Sequence, residues 1–336
     1  KEFSLSGEVR AGSVMQTELF SGQAMRIFTG GRLPAGADTV ARQEIVEKMS
    51  SHIRLTSSLS PHADIRYRGE ELKIGSCLAP KGKKVTAGLL AACAMAGVKT
   101  VRVYQSPRIA IVITGDEVSK NPDHEAQIYD ANGPLITTWL AAQGVTNFEC
   151  WHVGDNEQQL REVLAHVLNQ YDVVLTTGGV SVGDYDLVRP LSQQVGAQEI
   201  FWRVAQKPGK PLYFAEYKNK ESAQTSYLMG LPGNPAAVFI SLPIHVQTVL
   251  NLLQGLPRSM PQWQKGWFSG QLRADSRERF LRVQLGVDAS GRITLSPLPK
   301  QQSHMLSNLA HANALVRVPA NKALNEEALL PFLYFA

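Results

Sequence analysis

Short apolar runs alternate with amphipathic stretches through the middle of the chain, over residues 107–257. The runs Ile109–Ile113 and Val173–Leu175 predict strands buried on both faces, because neither alternates apolar with polar residues. The stretch Glu157–Asn169 predicts a helix, and Asn234-Pro235 supplies the preferred start of another. Further elements are predicted over residues 134–143 (helix) and 145–153, 199–204, 212–215 and 227–229 (strands). Strands that alternate with helices predict a mostly parallel, doubly wound sheet.

The pattern changes on both flanks of this region. Residues 1–64 are predicted to be β-rich, since Gly, Pro and Ser clusters separate short apolar stretches at 24–28, 39–41 and 52–55. Residues 65–106 are predicted to form a helical connecting domain, incomplete and of dimer type, around a helix over Thr86–Ala96. In residues 258–336 the predicted strands cover 280–287, 292–298, 314–318 and 329–334. We therefore expect an α/β multidomain protein with a β-rich N-terminal domain, a central doubly wound α/β domain over 107–257 and a small C-terminal β-barrel-like domain.

Composition and charge exclude several classes of protein. The 336 residues are 44% hydrophobic and 19% charged, which excludes a disordered chain and suggests roughly two to three domains. The net charge of +5 suits small acidic ligands as well as nucleic acid. No nucleic-acid partner is expected, because the aromatic residues are scattered. The basic run Arg273, Arg277, Arg279 and Arg282 is interpreted as a solvated strand face. The three cysteines stand far apart without a CxxC pair, which indicates neither a disulfide framework nor a zinc site.

The longest apolar stretch, Ala236–Leu253, is interrupted by Pro243, His245 and Gln247, which argues against a membrane-spanning helix. The chain opens on Lys1 without an initiator Met or an apolar signal segment. We therefore expect a cytoplasmic protein with no membrane partner, in a form that lacks the N-terminal part of its parent.

Glycines follow the predicted strand over Val173–Leu175, in the stretch Thr177–Asp184 (TGGVSVGD). Such glycines let backbone N–H groups approach an anion closely. The spacing matches neither GxGxxG nor GxxxxGK[ST], so neither a Rossmann nor a P-loop site is indicated. An ordinary strand-to-helix turn is the alternative, and the neighbouring hydroxyl residues favour ligand binding over it.

Two proline-rich turns lie further along the chain. Lys207–Pro211 (KPGKP) holds two ammonium groups on a stiff turn, which suits phosphate or another oxyanion as well as it suits a solvated basic turn. Leu231–Pro235 (LPGNP) is explained by a tight turn that leads into a capped helix, whose first N–H groups could also receive an anion.

Acidic residues follow predicted strands or begin predicted helices at Asp116, Glu117, Asp130, Asp155, Asp184 and Asp186. A single aspartate in such a place is most often a helix cap. Several in one cleft beside lysines would suit Mg²⁺ that bridges to a phosphorylated substrate. The pattern leaves open whether these side chains converge.

Taken in order, seven stretches resemble the MoeA family of molybdopterin molybdenumtransferases, which includes the gephyrin E domain. They are Arg26–Pro34 (RIFTGGRLP), Arg66–Glu71 (RYRGEE), Thr114–Glu117 (TGDE), Gln127–Asn132 (QIYDAN), Gly178–Asp186 (GGVSVGDYD), Lys207–Pro211 (KPGKP) and Leu231–Pro235 (LPGNP). The set covers nearly the whole chain and is specific as a set. The chain departs from the family in lacking a SAMDGYA-type segment, in the turn Thr29-Gly30-Gly31 and in Ala236-Ala237 after the LPGNP stretch.

The resemblance implies an enzyme of molybdenum cofactor biosynthesis that inserts molybdate into adenylylated molybdopterin, with Mg²⁺-dependent release of AMP. It implies a homodimer whose active site lies between the central domain of one chain and the β-rich domain of its partner. The other partners implied are a molybdopterin adenylyltransferase and molybdoenzyme apoproteins or chaperones.

The resemblance also assigns roles by position. It implies that Glu117, Asp155, Asp186, Lys207 and Lys210 are catalytic, with Asp155 and Asp186 also holding Mg²⁺. The implied substrate-binding residues are Thr29, Asp116, Asp130, Gly178, Gly179, Ser181, Gly183, Pro232, Gly233, Asn234, Arg277 and Ser303.

Two other functions stay open at this point. One is adenylyl transfer to molybdopterin, as in the MogA and MoaB relatives, against which Val180-Ser181 and the C-terminal β region count. The other is a non-catalytic binding or scaffolding module, as the gephyrin E domain is.

Overall fold

The computed structural model describes residues 1–13, 17–181, 183, 186–222, 224–257, 260–325 and 327–335. The chain divides into two compact units, residues 1–78 with 88–98 and residues 79–87 with 99–336. Asp184 lies outside the described residues. The boundaries of the four domains drawn from the sequence stay a prediction.

A four-stranded sheet forms the first unit, as its β-rich pattern predicts. Its strands are Glu2–Val9 (β1), Gln23–Ile27 (β2), Val46–Lys48 (β3) and His52–Leu55 (β4), in the order β2-β1-β4-β3. The predicted strand over residues 39–41 is wrong. Val40 donates one backbone hydrogen bond to Ala63 across a loop (3.1 Å), and residues 39–41 belong to no ladder. Within the described residues of this unit, only Val9, Pro34 and Cys93 are buried.

Helix α1 covers Ala87–Met95, within the predicted range. Gly97 follows it with φ +74, the left-handed conformation that commonly ends a helix.

A six-stranded sheet organises the centre of the second unit. Its members are Ile109–Thr114 (β5), Phe148–Val153 (β8), Val173–Thr177 (β9), Gln198–Trp202 (β10), Tyr213–Lys218 (β12) and Thr225–Leu231 (β13), in the order β10-β12-β13-β9-β5-β8. The last four strands of that order are parallel, and β12 and β10 extend the sheet antiparallel at one side. Two short parallel strands stand apart as Val118–Ser119 (β6) and Ile128–Tyr129 (β7).

Helices cover both faces of this sheet, which confirms the doubly wound prediction. They are Asn132–Ala142 (α2), Glu157–Gln170 (α3), Val188–Gln194 (α4), Pro235–Ser241 (α5) and Gln247–Leu253 (α6), with a π-helical turn over Leu242–Val246 between the last two. Strand β5 shows why the run is continuously apolar. Ala110 and Val112 pack with α3 and α4, whereas Ile109, Ile111 and Ile113 pack with α2 and the α5–α6 helix on the other face.

The segment Pro235–Leu253 is long and apolar enough to cross a membrane by length and composition, but half of its most apolar window is buried inside the protein. Val238, Leu242, Val246 and Leu250 are buried against the sheet. This is the packing of a core helix.

A closed five-stranded barrel follows, which confirms the predicted small C-terminal β-barrel-like domain. Its strands are Gln264–Phe268 (β14), Glu278–Val287 (β15), Ile293–Pro297 (β16), Ala314–Val318 (β17) and Ala328–Tyr334 (β18). The order β15-β16-β14-β18-β17 closes through pairing of β15 with β17. Strand Gln206–Lys207 (β11) joins β15 in parallel.

The interpretation of the arginine run as a solvated strand face is wrong for Arg282. Its side chain is buried, with 1% of the residue exposed. The guanidinium group donates to the backbone oxygens of Lys300, Gln302 and Met305 (3.1–3.4 Å). Backbone carbonyls accept hydrogen bonds from both terminal nitrogens of the guanidinium group, which offsets much of the cost of burying it, while its Nε has no partner among the described residues.

Candidate functional site

Four loops meet at one edge of the central sheet. The parallel strands β5, β8, β9 and β13 end together, since Thr114 pairs with Val153, Ile113 with Thr177, and Leu231 with Thr177. Residues 115–117, 154–156, 178–181 and 232–234 follow these ends. Ligands of open α/β sheets bind beyond the carboxyl ends of the strands, so this edge is the candidate site.

Two aspartates tie the first two of these loops together. The backbone N–H of Asp155 donates to Oδ1 of Asp116 (3.0 Å), and that of Asp116 donates to Oδ2 of Asp155 (3.3 Å). Gly154 permits this approach, because a Cβ there would collide with the Asp116 carboxylate. The sequence left open whether the acidic residues converge, and the structure brings Asp116 and Asp155 together at this edge. Glu117 follows in the same loop, with its carboxylate against Gly115.

The glycine turn after β9 adopts conformations that favour glycine, with φ +86 at Gly178 and +65 at Gly179. A Cβ on Gly178 would lie 2.9 Å from Oγ1 of Thr114, the hydroxyl that donates to the Thr177 carbonyl (2.9 Å). A Cβ on Gly233 would lie 3.5 Å from the Cα of Gly178, so the two loops lie side by side.

Two amides of this turn are already engaged within the protein. The N–H of Gly178 donates to the Leu231 carbonyl (3.1 Å), and the N–H of Gly183 donates to Oδ2 of Asp186 (2.6 Å). The glycines at these positions therefore contribute close backbone approach rather than free donors. Ser181 is exposed beside them.

The side chain of Asp130 is buried, with 3% of it exposed, and both of its oxygens accept hydrogen bonds. Oδ1 accepts from the N–H of Gly133 at the start of α2 (2.8 Å), and Oδ2 accepts from Nε2 of His152 (2.9 Å). The geometry is that of a helix cap, and the substrate-binding role of Asp130 stays a prediction. Its neighbour Asn132 donates to the Gly233 carbonyl (2.8 Å), a link to the site that the sequence reasoning missed.

The turn Pro232–Asn234 leads into α5 as predicted. The Asn234 side chain accepts a hydrogen bond from the N–H of Ala236 (3.1 Å), and Pro235 takes the first helical position. This confirms Asn234 as the N-cap residue.

The lysine loop reaches the same edge from the antiparallel side of the sheet. It enters β12 at Tyr213, which pairs with Gly230 near the end of β13. A Cβ on Gly209 would lie 3.7 Å from the Cβ of Ala237 in α5, so the loop lies against the first turn of that helix. Lys210 is exposed. The loop thus brings the predicted lysines to the edge where the glycine turns and aspartates lie.

Asp275 links this loop to the barrel. The ammonium group of Lys207 donates to Oδ2 of Asp275 (2.8 Å), and the backbone N–H of Arg277 donates to Oδ1 (3.0 Å). These two bonds, the one from Lys207 foremost, lower the pKa of Asp275 to about 2. Sequence reasoning missed Asp275, although its position between arginines was a usable indication. The structure therefore brings Lys207 and Arg277 to one carboxylate, and the roles that the resemblance gives them stay predictions.

Ser303 lies in the loop that Arg282 fixes. Asn308 also holds this loop, donating to the carbonyls of Pro299 (2.6 Å) and Lys300 (3.0 Å). Ser303 itself is exposed. Thr29 belongs to the first unit, in a turn followed by Gly30 with φ +84. The roles of both residues stay predictions.

Among the residues that the structure describes, no group of three or more His, Cys, Asp or Glu side chains could hold a metal ion alone. Asp116 and Asp155 each use one oxygen in their mutual contact and keep a second carboxylate oxygen. Carboxylates in this number fit Mg²⁺, which takes its remaining ligands from water and phosphate. The expected pairing of Asp155 with Asp186 at a metal stays a prediction.

Comparison with known proteins gives the family. The sequence model of the MoeA N-terminal region (domains I and II) matches residues 1–97, that of a probable molybdopterin binding domain residues 110–251, and that of the MoeA C-terminal region (domain IV) residues 268–328. The molybdopterin molybdenumtransferase of Staphylococcus epidermidis is 32% identical over 323 residues, which cover 95% of this chain and 75% of the relative. The chain belongs to the molybdopterin molybdenumtransferase (MoeA) family.

Further relatives agree with this family. The Staphylococcus aureus molybdopterin molybdenumtransferase is 30% identical over 321 residues, covering 95% of this chain and 75% of its own length. The crystal structure of the molybdopterin biosynthesis MoeA protein from Pyrococcus horikoshii superposes with a TM-score of 0.80 at 23% identity, over 100% of this chain and 81% of that one. The two staphylococcal relatives confirm the resemblance to the MoeA family, and the Pyrococcus horikoshii structure confirms the fold.

Proposed function

We propose that this chain is a transferase of molybdenum cofactor biosynthesis that inserts molybdate into adenylylated molybdopterin and releases AMP. One observation carries the proposal: in a member of this family, two aspartates, the glycine turns and the lysine loop meet at the carboxyl edge of the molybdopterin-binding sheet.

Each group contributes a separate part of the chemistry. The close glycine turns at Gly178 and Gly233 leave room for the phosphate of the adenylate against the backbone. Lys207, Lys210 and Arg277 place positive charge where molybdate, a dianion, would enter. The same cations stabilise the negative charge that develops as water cleaves the adenylate and AMP leaves.

Mg²⁺ would be held by Asp155 with Asp116 or Asp186, and when bound it would offset phosphate charge. The aspartates also act without it. Asp116 and Asp155 hold their two loops in one arrangement through the paired hydrogen bonds described above.

Calorimetric titration with molybdopterin and with its adenylate, followed by an assay of AMP release with Mg²⁺ and molybdate, tests the proposal. We expect both ligands to bind and AMP release to accompany formation of molybdenum cofactor. Binding without release would favour a non-catalytic module. Failure of both ligands to bind would refute the assignment.

The two other functions considered from the sequence are not favoured. A molybdopterin adenylyltransferase needs only the pterin-binding region, whereas the MoeA N-terminal and C-terminal regions also match here. A purely scaffolding role is not favoured because the curated relatives are named as transferases.

We also propose that the chain acts as a homodimer in the cytoplasm, receives its substrate from a molybdopterin adenylyltransferase and passes its product to molybdoenzyme apoproteins or chaperones. The exposed apolar residues of α1, Leu90 and Met95, support self-association.

A further inference from the structure

The side-chain amide of Gln206 lies between the lysine loop and the π-helical turn. Gln206 is buried, with 4% of the residue exposed. Its Nε2 donates to the carbonyl of Pro208 (3.2 Å), and its Oε1 lies 2.8 Å from Nε2 of His245. Because a carbonyl can only accept, the amide NH₂ group must face Pro208 and its oxygen must face the imidazole.

This orientation fixes the proton on His245. Nε2 must carry the hydrogen that it donates to Gln206. Burial lowers the pKa of His245 to about 4, so the ring is neutral at neutral pH and keeps that donor. The charged groups on the neighbouring strands, Glu278 and Arg317, pair with each other at 2.6 Å.

The lysine loop is built around the same amide. A Cβ on Gly209 would lie 2.6 Å from Nε2 of Gln206, so the loop closes directly onto the side chain. The carbonyl of Lys210 accepts from the N–H groups of Val204 and Leu212, both at 3.0 Å. The backbone that carries Lys207 and Lys210 therefore packs against the side chain of Gln206.

His245 lies in the π-helical turn Leu242–Val246. Such a turn is a local departure from the α-helix that is frequent at functional sites. The same run of helix begins at Asn234 on the edge of the sheet. One element thus carries both the start of α5 and the imidazole beneath the lysine loop.

A cavity of about 310 Å³ lies beside the pair, lined by Gln206 and His245 together with Ile244, Trp263 and Phe280. Burial of an imidazole and an amide in such a wall costs free energy unless they bond to each other. Packing alone would be served by apolar side chains, so the two polar groups point to a further role.

We propose that His245 and Gln206 are positioning residues, whose hydrogen-bonded pair fixes the Lys207–Pro211 loop and so sets the molybdate affinity of Lys207 and Lys210. This inference rests on the proposed function, which assigns those lysines to molybdate.

Two variants remove the pair with side chains of similar shape. Gln206→Met removes both amide hydrogen bonds, and His245→Phe removes the imidazole donor. We expect each to raise the half-saturating molybdate concentration for AMP release about five- to tenfold, the loss of one or two hydrogen bonds. The Kd for adenylylated molybdopterin should stay unchanged, because Gly178 and Gly233 lie outside the altered contacts.

Rescue distinguishes positioning from general packing. His245→Gln retains an N–H donor toward Gln206, and we expect its half-saturating molybdate concentration to return to within about twofold of the unsubstituted protein. Met260→Leu alters the wall of the same cavity without touching the pair and should have no effect. If Gln206→Met does not fold, the comparison of His245→Phe with His245→Gln still decides the matter.

Lys207→Ala separates this inference from the proposed function. If Lys207→Ala raises the half-saturating molybdate concentration but Gln206→Met and His245→Phe do not, only the positioning role is overturned. Equal effects of His245→Phe and His245→Gln overturn it as well. If Lys207→Ala also leaves the molybdate response unchanged, the assignment of the lysines fails, and the inference fails with it.

Discussion

Asp275 receives hydrogen bonds from the ammonium group of Lys207 and the backbone of Arg277, which hold its pKa at about 2, below the ordinary 3.8. A lowered pKa in the folded state means that the ionised carboxylate stabilises the fold above the ordinary pKa, and that this contribution is lost as the pH falls toward 2. We therefore expect Asp275→Asn to lower the melting temperature at about pH 6 and to lower it less at about pH 3. The control is Asp123→Asn, at an exposed side chain. The difference in melting temperature between this variant and the unsubstituted protein should not become smaller from about pH 6 to about pH 3. An equal difference at both pH values would contradict the ion-pair explanation.

Arg282 is the residue whose loss should most affect the loop around Ser303. Replacement by Met leaves the carbonyls of Lys300, Gln302 and Met305 without their donor, at a cost of about 2–3 kcal/mol in the free energy of unfolding. Urea unfolding measures this loss. Arg273→Met, at an exposed position of the same basic run, should change stability by less than about 0.5 kcal/mol. A similar loss in both variants would show that the buried hydrogen bonds are not its source.

At the scale of elements, the turn after β9 depends on a glycine for space as well as for conformation. Gly178 and Gly144 both have positive φ, +86 and +76, so alanine at either should cost about 1 kcal/mol in stability. Only at Gly178 would the new Cβ press on Thr114, whereas at Gly144 it meets nothing within 4 Å. We expect Gly178→Ala to weaken binding of adenylylated molybdopterin about tenfold or more, and Gly144→Ala to leave it unchanged. Titration calorimetry measures these affinities. Equal affinities of the two variants for adenylylated molybdopterin would rule out the steric argument.

Some elements were predictable within a residue or two, such as helix α3 and strand β17, whereas the strand predicted over residues 145–153 begins three residues later. Ala314–Val318 was predicted with the bounds it has, and the Asn234 cap follows from side-chain chemistry next to the helix it begins. Elements that depend on distant partners were not predictable. Strand β11 exists because Gln206 and Lys207 pair with Glu278 and Arg279, and the antiparallel edge of the sheet depends on the pairing of β12 with β13.

The same division applies to the site. The order of strands and helices placed the loops of Asp116, Asp155, Gly178 and Gly233 at one edge, because carboxyl ends of parallel strands share an edge. Hydrogen bonding inside the protein could not be predicted: the amides of Gly178 and Gly183 are used internally, and Asp130 caps a helix. Asp275 and Gln206 act through contacts with residues 68 and 39 positions away, a separation that no local pattern encodes.

At the scale of the whole molecule, the proposed homodimer is argued from the exposed apolar surface of helix α1 in the first unit. Helix α1 (AGLLAACAM) has no charged residue, and Cys93 is its one buried residue, whereas Leu90 is 54% and Met95 65% exposed. A helix that is apolar all round is normally covered, so we expect a second copy to bury this surface. Sedimentation velocity should show a dimer, and the pair Leu90→Glu with Met95→Glu should shift it to monomer. Ile74→Glu, at a residue 97% exposed in a loop of the same unit, adds one glutamate outside α1 and should leave the dimer intact. A monomer at concentrations well above about 10 μM, where interfaces of ordinary size are populated, would contradict the proposal.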